Sequence, residues 1–174
     1  MAVLHTVGHS THPIEHFLGL LGQHQVALLM DVRSYPSSKR WPQFNQEALR
    51  EAVERAGIAY RWRKGLGGRR LTGESINDGW EHPAFRAYAD YIASAEGQAA
   101  LAELLGTADA SRVAVMCSEG LWWQCHRRII SDYMTVRGWE VVHIMPDGKP
   151  VPHRLTPFAV EHDGVIEYRT RAAE

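Results

Sequence analysis

Val113-Ala114-Val115-Met116-Cys117-Ser118-Glu119-Gly120-Leu121-Trp122-Trp123-Gln124-Cys125-His126-Arg127-Arg128-Ile129-Ile130 is the stretch on which the fold turns. Its apolar run from Val113 to Met116 makes Arg112 to Cys117 read as a buried strand, and the amphipathic pattern from Gln124 to about Arg137 reads as a helix. Between them lie a thiol, a glycine turn, a second thiol, an imidazole and two guanidiniums. Such strand-to-helix junctions bind anions, because unpaired N–H groups and the positive end of the helix dipole point outward there.

The same alternation extends in both directions. Val3 to Gly8 reads as a strand, and Pro13 to Gly22 as a helix with Thr11 or His12 near its cap. Val26 to Val32 is a second strand, Gln46 to Ala56 a helix closed by Gly57, and Ile58 to Trp62 a third strand. Helical patterns follow from Pro83 to about Ser94 and from Glu96 to about Thr107, and Glu140 to Ile144 is a fifth strand. This predicts a single α/β domain over residues 1–174, a three-layer sandwich with a mostly parallel central sheet of about five strands and helices on both faces.

The chain has 174 residues, is 45% hydrophobic and 22% charged, and contains two cysteines. That composition is globular, and two thiols without a secretory leader argue against a disulfide scaffold. No apolar run approaches the length of a membrane span, so a soluble, cytoplasmic protein is expected. The net charge of -1 hides an uneven distribution, since residues 33–71 hold ten Lys/Arg against three Glu, with Trp41, Phe44, Tyr60 and Trp62 interleaved. Such a stretch suits phosphates or stacked bases, or is a solvated face where Arg50 and Arg55 alternate with Glu47, Glu51 and Glu54.

In a parallel sheet the ligand crevice lies beyond the carboxyl ends of the strands. Those ends carry Gly8-His9-Ser10-Thr11-His12, then Asp31-Val32-Arg33-Ser34-Tyr35-Pro36, then Lys64-Gly65-Leu66-Gly67-Gly68-Arg69-Arg70, then Cys117-Ser118-Glu119-Gly120. The opposite edge has no comparable set. Thr6-Val7-Gly8-His9-Ser10, the Asp31 to Pro36 segment, Pro42-Gln43-Phe44-Asn45, Leu66-Gly67-Gly68-Arg69, Cys117-Ser118-Glu119, Cys125-His126-Arg127 and His153-Arg154-Leu155-Thr156-Pro157 together resemble the successive motifs of the domain-of-unknown-function family numbered 488. The resemblance implies an α/β fold and a site at these motifs more than an activity. Asp31-Val32-Arg33 also looks like the Asp-Val-Arg element of rhodanese-like domains. Those place an arginine about six residues beyond the thiol, whereas Arg127 lies ten beyond Cys117.

Cys117 and His126 are the candidate catalytic residues: a thiol made nucleophilic by the helix N-terminus and by His126 or Arg127, or, in the bland reading, a small buried strand-end residue. Cys125 is a partner thiol, a metal ligand with His9 or His12, or a packing residue. A C-x7-C spacing matches no closed zinc pattern, so no metal is assigned. Arg33, Arg69 and Arg127 are expected to clamp an anion, with His9, Ser10, Asp31, Gly67, Ser118 and Glu119 around it and His153 and Arg154 on its rim or in a packing strap. Adjacent helix positions diverge by about 100 degrees, so His126 and Arg127 are not expected to face the crevice together. Three functional classes stand: a protein binding a phosphorylated, nucleotide-like ligand, whether or not it is a hydrolase or transferase; a nucleic-acid-binding module; and a thiol redox or transfer protein using Cys117. No cofactor follows from the sequence.

Overall fold

Six strands form one sheet in the order β3-β2-β4-β1-β5-β6. They are β1 (Val3–Gly8), β2 (Leu28–Asp31), β3 (Ala59–Trp62), β4 (Val113–Cys117), β5 (Glu140–Ile144) and β6 (Pro150–Pro152). The computed structural model describes residues 2–71 and 73–170. The first five strands are mutually parallel and β6 is antiparallel to β5.

Period-two alternation divides the apolar residues between the two faces. Leu4, Leu28, Met30, Val113 and Val115 pack under α3 (Pro83–Ala93), α4 (Ala95–Ala110) and α5 (Arg127–Val136), against Tyr88, Ile92, Leu101, Leu104, Ile129 and Tyr133. Val7, Leu29, Ala114, Met116 and Ile144 pack on the other side under α1 (Ile14–Gln23) and α2 (Gln46–Arg55), against Phe17, Leu20, Leu21, Leu49 and Val53. Helices therefore cover both faces, as the alternating sequence predicted. Neighbours β1 and β4 feed α1 and α5 on opposite faces, which opens a crevice beyond their carboxyl ends.

The sheet has six strands rather than about five. The extra one lies in the proline-rich stretch, where Pro150 and Pro152 face Ile144 and Val142 across β5. Proline is tolerated there because an edge strand has one unpaired side. A further hairpin, β7 (Ala159–His162) with β8 (Val165–Tyr168), was not foreseen in the tail. Its turn is Asp163-Gly164, with φ of 53° and 85°, and this Asp-Gly pair is the signal that could have found it.

One boundary shift shapes the site. The helix expected from Gln124 begins at Arg127, preceded by a single 3-10 turn over Trp122–Gln124 and by Cys125 in extended conformation, φ −144° and ψ 173°. No helix among the described residues is long and apolar enough to cross a membrane.

Candidate functional site

Cys117 ends β4 on the face covered by α5, and the extended Cys125 turns its side chain back toward it. The two sulfurs lie 3.0 Å apart, both as free thiols. Arg127, 1% exposed, lies beneath them and donates from Nε to Cys117 Sγ at 3.0 Å and to Cys125 Sγ at 3.3 Å. Its backbone N–H, in the first turn of α5, also points at Cys125 Sγ, at 3.3 Å. The rest of the guanidinium is spent on Thr6 Oγ1 at 2.9 Å and the Glu119 carbonyl at 2.7 Å.

The carbonyl of Glu119 is held in place by a glycine. A Cβ on Gly8 would lie 1.8 Å from that oxygen, so the Ser118–Gly120 loop closes over the end of β1 only because Gly8 has no side chain. His9 N–H and Ser10 N–H then continue the strand pairing onto the Cys117 and Ser118 carbonyls at 2.9 and 3.0 Å. Gly68 serves the opposite wall, where a Cβ would meet His126 Nδ1 at 2.6 Å.

The two thiols are electrostatically unequal. Burial alone would push Cys125 up, but the S–H of Cys117 donating to it, the Arg127 charge and the Arg127 N–H outweigh burial and bring it down to about 6. Cys117 moves the other way, well above its ordinary value, through burial first and then through the hydrogen bond that fixes its proton toward Cys125. That proton has a second acceptor within reach, the Glu119 carbonyl at 3.4 Å. These opposite directions favour the negative charge on Cys125 and the proton on Cys117.

A cavity of about 530 Å³ opens on this pair, lined by both cysteines, Ser118, His126, Arg33, Lys39, Arg69 and His82 among others. No Asp or Glu is among the residues lining it. His126 donates from Nε2 to the Val32 carbonyl at 2.9 Å, which leaves Nδ1 as the bare nitrogen, and burial holds the ring neutral. Tyr88 packs edge-on against it at 5.0 Å.

Of the three arginines expected to clamp an anion, two are occupied by the protein itself. Arg33 is only 6% exposed and pairs with Asp31 in a bidentate fork at 2.9 and 2.8 Å, donates to the Phe44 carbonyl at 2.8 Å and rests near His9 Nε2 at 3.4 Å. Asp31 thus orients Arg33, helped by Tyr60, whose hydroxyl donates to the same carboxylate at 2.6 Å. Arg127 is filled as described, and only Arg69, exposed and stacked 5.3 Å over Tyr35, remains open. His126 lines the cavity and Arg127 lies under it, the divergence expected of neighbouring positions.

The other expected residues scatter. His9 is buried against Phe44, ring centroids 4.3 Å apart, and burial brings it down to about 4, so it is a neutral brace for Arg33. Ser10 supplies the turn after β1 at φ 48°, Gly67 packs against Ser34, and Glu119 contributes its backbone carbonyl. Neither His153 nor Arg154 reaches the cavity: Arg154 is exposed, while His153 is inserted under α5, bonded to Asp132 at 2.7 Å and to His143 at 2.9 Å. Trp122 stacks flat on His143 at 4.3 Å, and neither it nor Trp123 lines the cavity. Of the basic stretch, Arg50, Arg55 and Arg63 pair with Glu47, Glu51 and Glu103, and Arg70 covers the Tyr91 ring.

Thr6, His143 and Asp132 were missed as site residues. A histidine in the otherwise apolar run of β5 and an acid in the buried face of α5 are the signals they left in the sequence. Compared with known proteins, residues 13–134 match the family model described as domain of unknown function DUF488. No curated protein and no solved structure matches the chain.

Proposed function

The chain belongs to the DUF488 domain family, which carries no assigned reaction, and on that premise we propose that it is a two-thiol protein that exchanges thiols with an anionic substrate. The observation that carries the reading is the Sγ–Sγ separation of 3.0 Å with one buried guanidinium donating to both sulfurs. The attacking thiolate is Cys125, which displaces a thiolate R′S⁻ from a disulfide RSSR′ and forms Cys125–S–S–R. Cys117 gives its proton to solvent or to the leaving thiolate, attacks Cys125 Sγ and expels RS⁻. The protein dithiol is oxidised to a disulfide and the substrate is reduced to two thiols. Two free thiols in contact persist in a reducing compartment, which suits the cytoplasm.

The acid-free lining with Lys39, Arg69 and His82 supports a substrate bearing phosphate or carboxylate, including a phosphorylated, nucleotide-like small molecule. A nucleic acid fits less well, since Arg33, Arg50, Arg55, Arg63 and Arg70 of the basic stretch already have partners within the protein.

Dithiobis(nitrobenzoate), an anionic disulfide, tests this directly. Wild type should release two thionitrobenzoate ions per chain and end as an internal Cys117–Cys125 disulfide. Cys117→Ser should release one and hold the other as a mixed disulfide on Cys125, found by peptide mass. Release at the rate of an ordinary free thiol, with no internal disulfide formed, would sink the reading.

A further inference from the structure

Arg127 touches more than sulfur. Its Nη1 donates to Thr6 Oγ1 at 2.9 Å, and because a guanidinium has no acceptor, the hydroxyl must accept there and send its own proton elsewhere. The neighbour placed to accept that proton is His143 Nδ1, at 2.6 Å. Burial first, then the neighbouring His153 and Arg127, hold His143 neutral far below its ordinary value. Its ring proton therefore sits on Nε2, which donates to His153 Nδ1 at 2.9 Å, and His153 Nε2 donates to Asp132 Oδ1 at 2.7 Å. Asp132 is fully buried and also accepts from the Tyr168 hydroxyl at 2.8 Å and the Thr156 N–H at 3.1 Å.

Four hydrogen bonds thus run in one direction from a buried cation to a buried carboxylate, each donor facing an acceptor. Thr6 and His143 are direct neighbours across β1 and β5, and Asp132 is on the same helix as Arg127. Trp122 covers the His143 ring in parallel stacking at 4.3 Å and 4°. None of these five residues lines the cavity. Buried polar chains cost desolvation unless every member is satisfied, and apolar residues of similar volume would fill the same space at less cost.

We infer that Asp132, His153, His143 and Thr6 form a positioning relay that fixes the Arg127 guanidinium on both sulfurs, so that groups outside the cavity set the strength of the Cys125 thiolate. The plane of the guanidinium is pinned by the Glu119 carbonyl on Nη2 and by Thr6 on Nη1. Without Thr6 the plane is free to tilt, and the Nε–H bonds to sulfur weaken as they leave linearity. The groups bearing on the thiol pair are Arg127 on both sulfurs, Tyr88 toward Cys125 and His126 toward Cys117, and of these Arg127 alone donates hydrogen bonds to both sulfurs. The relay rests on Cys125 being the nucleophile of the exchange reaction.

The test is the ultraviolet titration of thiolate in the reduced protein, without substrate, for wild type, Thr6→Val, Thr6→Ser and, as a control for lost stability, Leu104→Ala. Thr6→Val should raise the Cys125 midpoint by about one pH unit, about tenfold less thiolate on the acid side. Thr6→Ser should restore it, and Leu104→Ala should lower the melting temperature without moving it. A folded Thr6→Val protein with the wild-type midpoint overturns the relay. Proton–nitrogen correlation spectra of wild type decide independently of any variant: His143 bare at Nδ1 and protonated at Nε2 supports the relay, and the opposite tautomer or a charged ring overturns it. A wild-type midpoint in the ordinary thiol range overturns relay and exchange together. A low midpoint unmoved by Thr6→Val overturns the relay alone, and a low midpoint that does move while no disulfide is exchanged overturns the exchange reading alone.

Discussion

Replacing Arg127 by Met keeps the approximate length of a side chain that is 1% exposed and removes both its charge and its donors to sulfur. With Cys125 brought down to about 6, its thiolate fraction in wild type is about 24% at pH 5.5 and about 90% at pH 7. If the variant returned fully to the ordinary thiol value of 9.0, those fractions would fall by about 800-fold and about 90-fold. A more basic thiolate is also a better nucleophile, and with a Brønsted slope of about 0.45 three pH units give back about 20-fold. The net loss of exchange rate is then about 35-fold at pH 5.5 but only about fourfold at pH 7, and the variant becomes the faster protein above about pH 7.7. Initial rates with dithiodipyridine, an uncharged disulfide that ignores the cationic lining, should give two pH profiles that cross. The backbone N–H of Arg127 and the S–H of Cys117 remain in the variant, so these figures are the upper limit. Parallel profiles in a folded variant, with both midpoints near 6, would refute the role given to the guanidinium.

Two further outcomes follow from the packing. Gly8→Ala places a Cβ 1.8 Å from the Glu119 carbonyl oxygen, so the loop must move off Arg127. The cost should be about 1–3 kcal/mol in chemical denaturation, as for other overpacked sites, and the Cys125 midpoint should rise with it. Arg33→Met leaves the fully buried Asp31 carboxylate without its cation, and breaking a buried pair costs about 3–5 kcal/mol, or a fall in melting temperature of roughly 10 °C. Calorimetry would show this, and an unchanged melting temperature would mean that Arg33 is not structural.

Much of the architecture was legible because its signals are local. Apolar runs ending in Gly8, Asp31 and Cys117 marked strands, and the residues beyond them marked the edge on which the cavity opens. The edge strand β6 was missed because Pro150 and Pro152 read as coil, and only the neighbouring β5 makes them a strand. Three arginines near one edge also looked like an anion clamp. The sequence does not say that Asp31 folds back on Arg33 or that two sulfurs, Thr6 and a carbonyl fill Arg127, since those partners are chosen by contacts across the fold.

By itself the chain determined an α/β sheet, the edge on which the cavity opens, and Cys117 and His126 as cavity residues, because strand and helix periods and strand-end composition are written in neighbouring residues. The tertiary structure decided that Cys117, Thr6 and His143 share one face. That follows from the order β4-β1-β5 and the registers Gly8 to Cys117 and Thr6 to His143, set by hydrogen bonds between segments more than a hundred residues apart. It also decided that Cys125 stays extended before α5, which brings the second sulfur within 3.0 Å of the first. Pairing of distant strands and one extended residue, neither visible in local sequence, turn an expected anion clamp into a pair of thiols over a buried arginine.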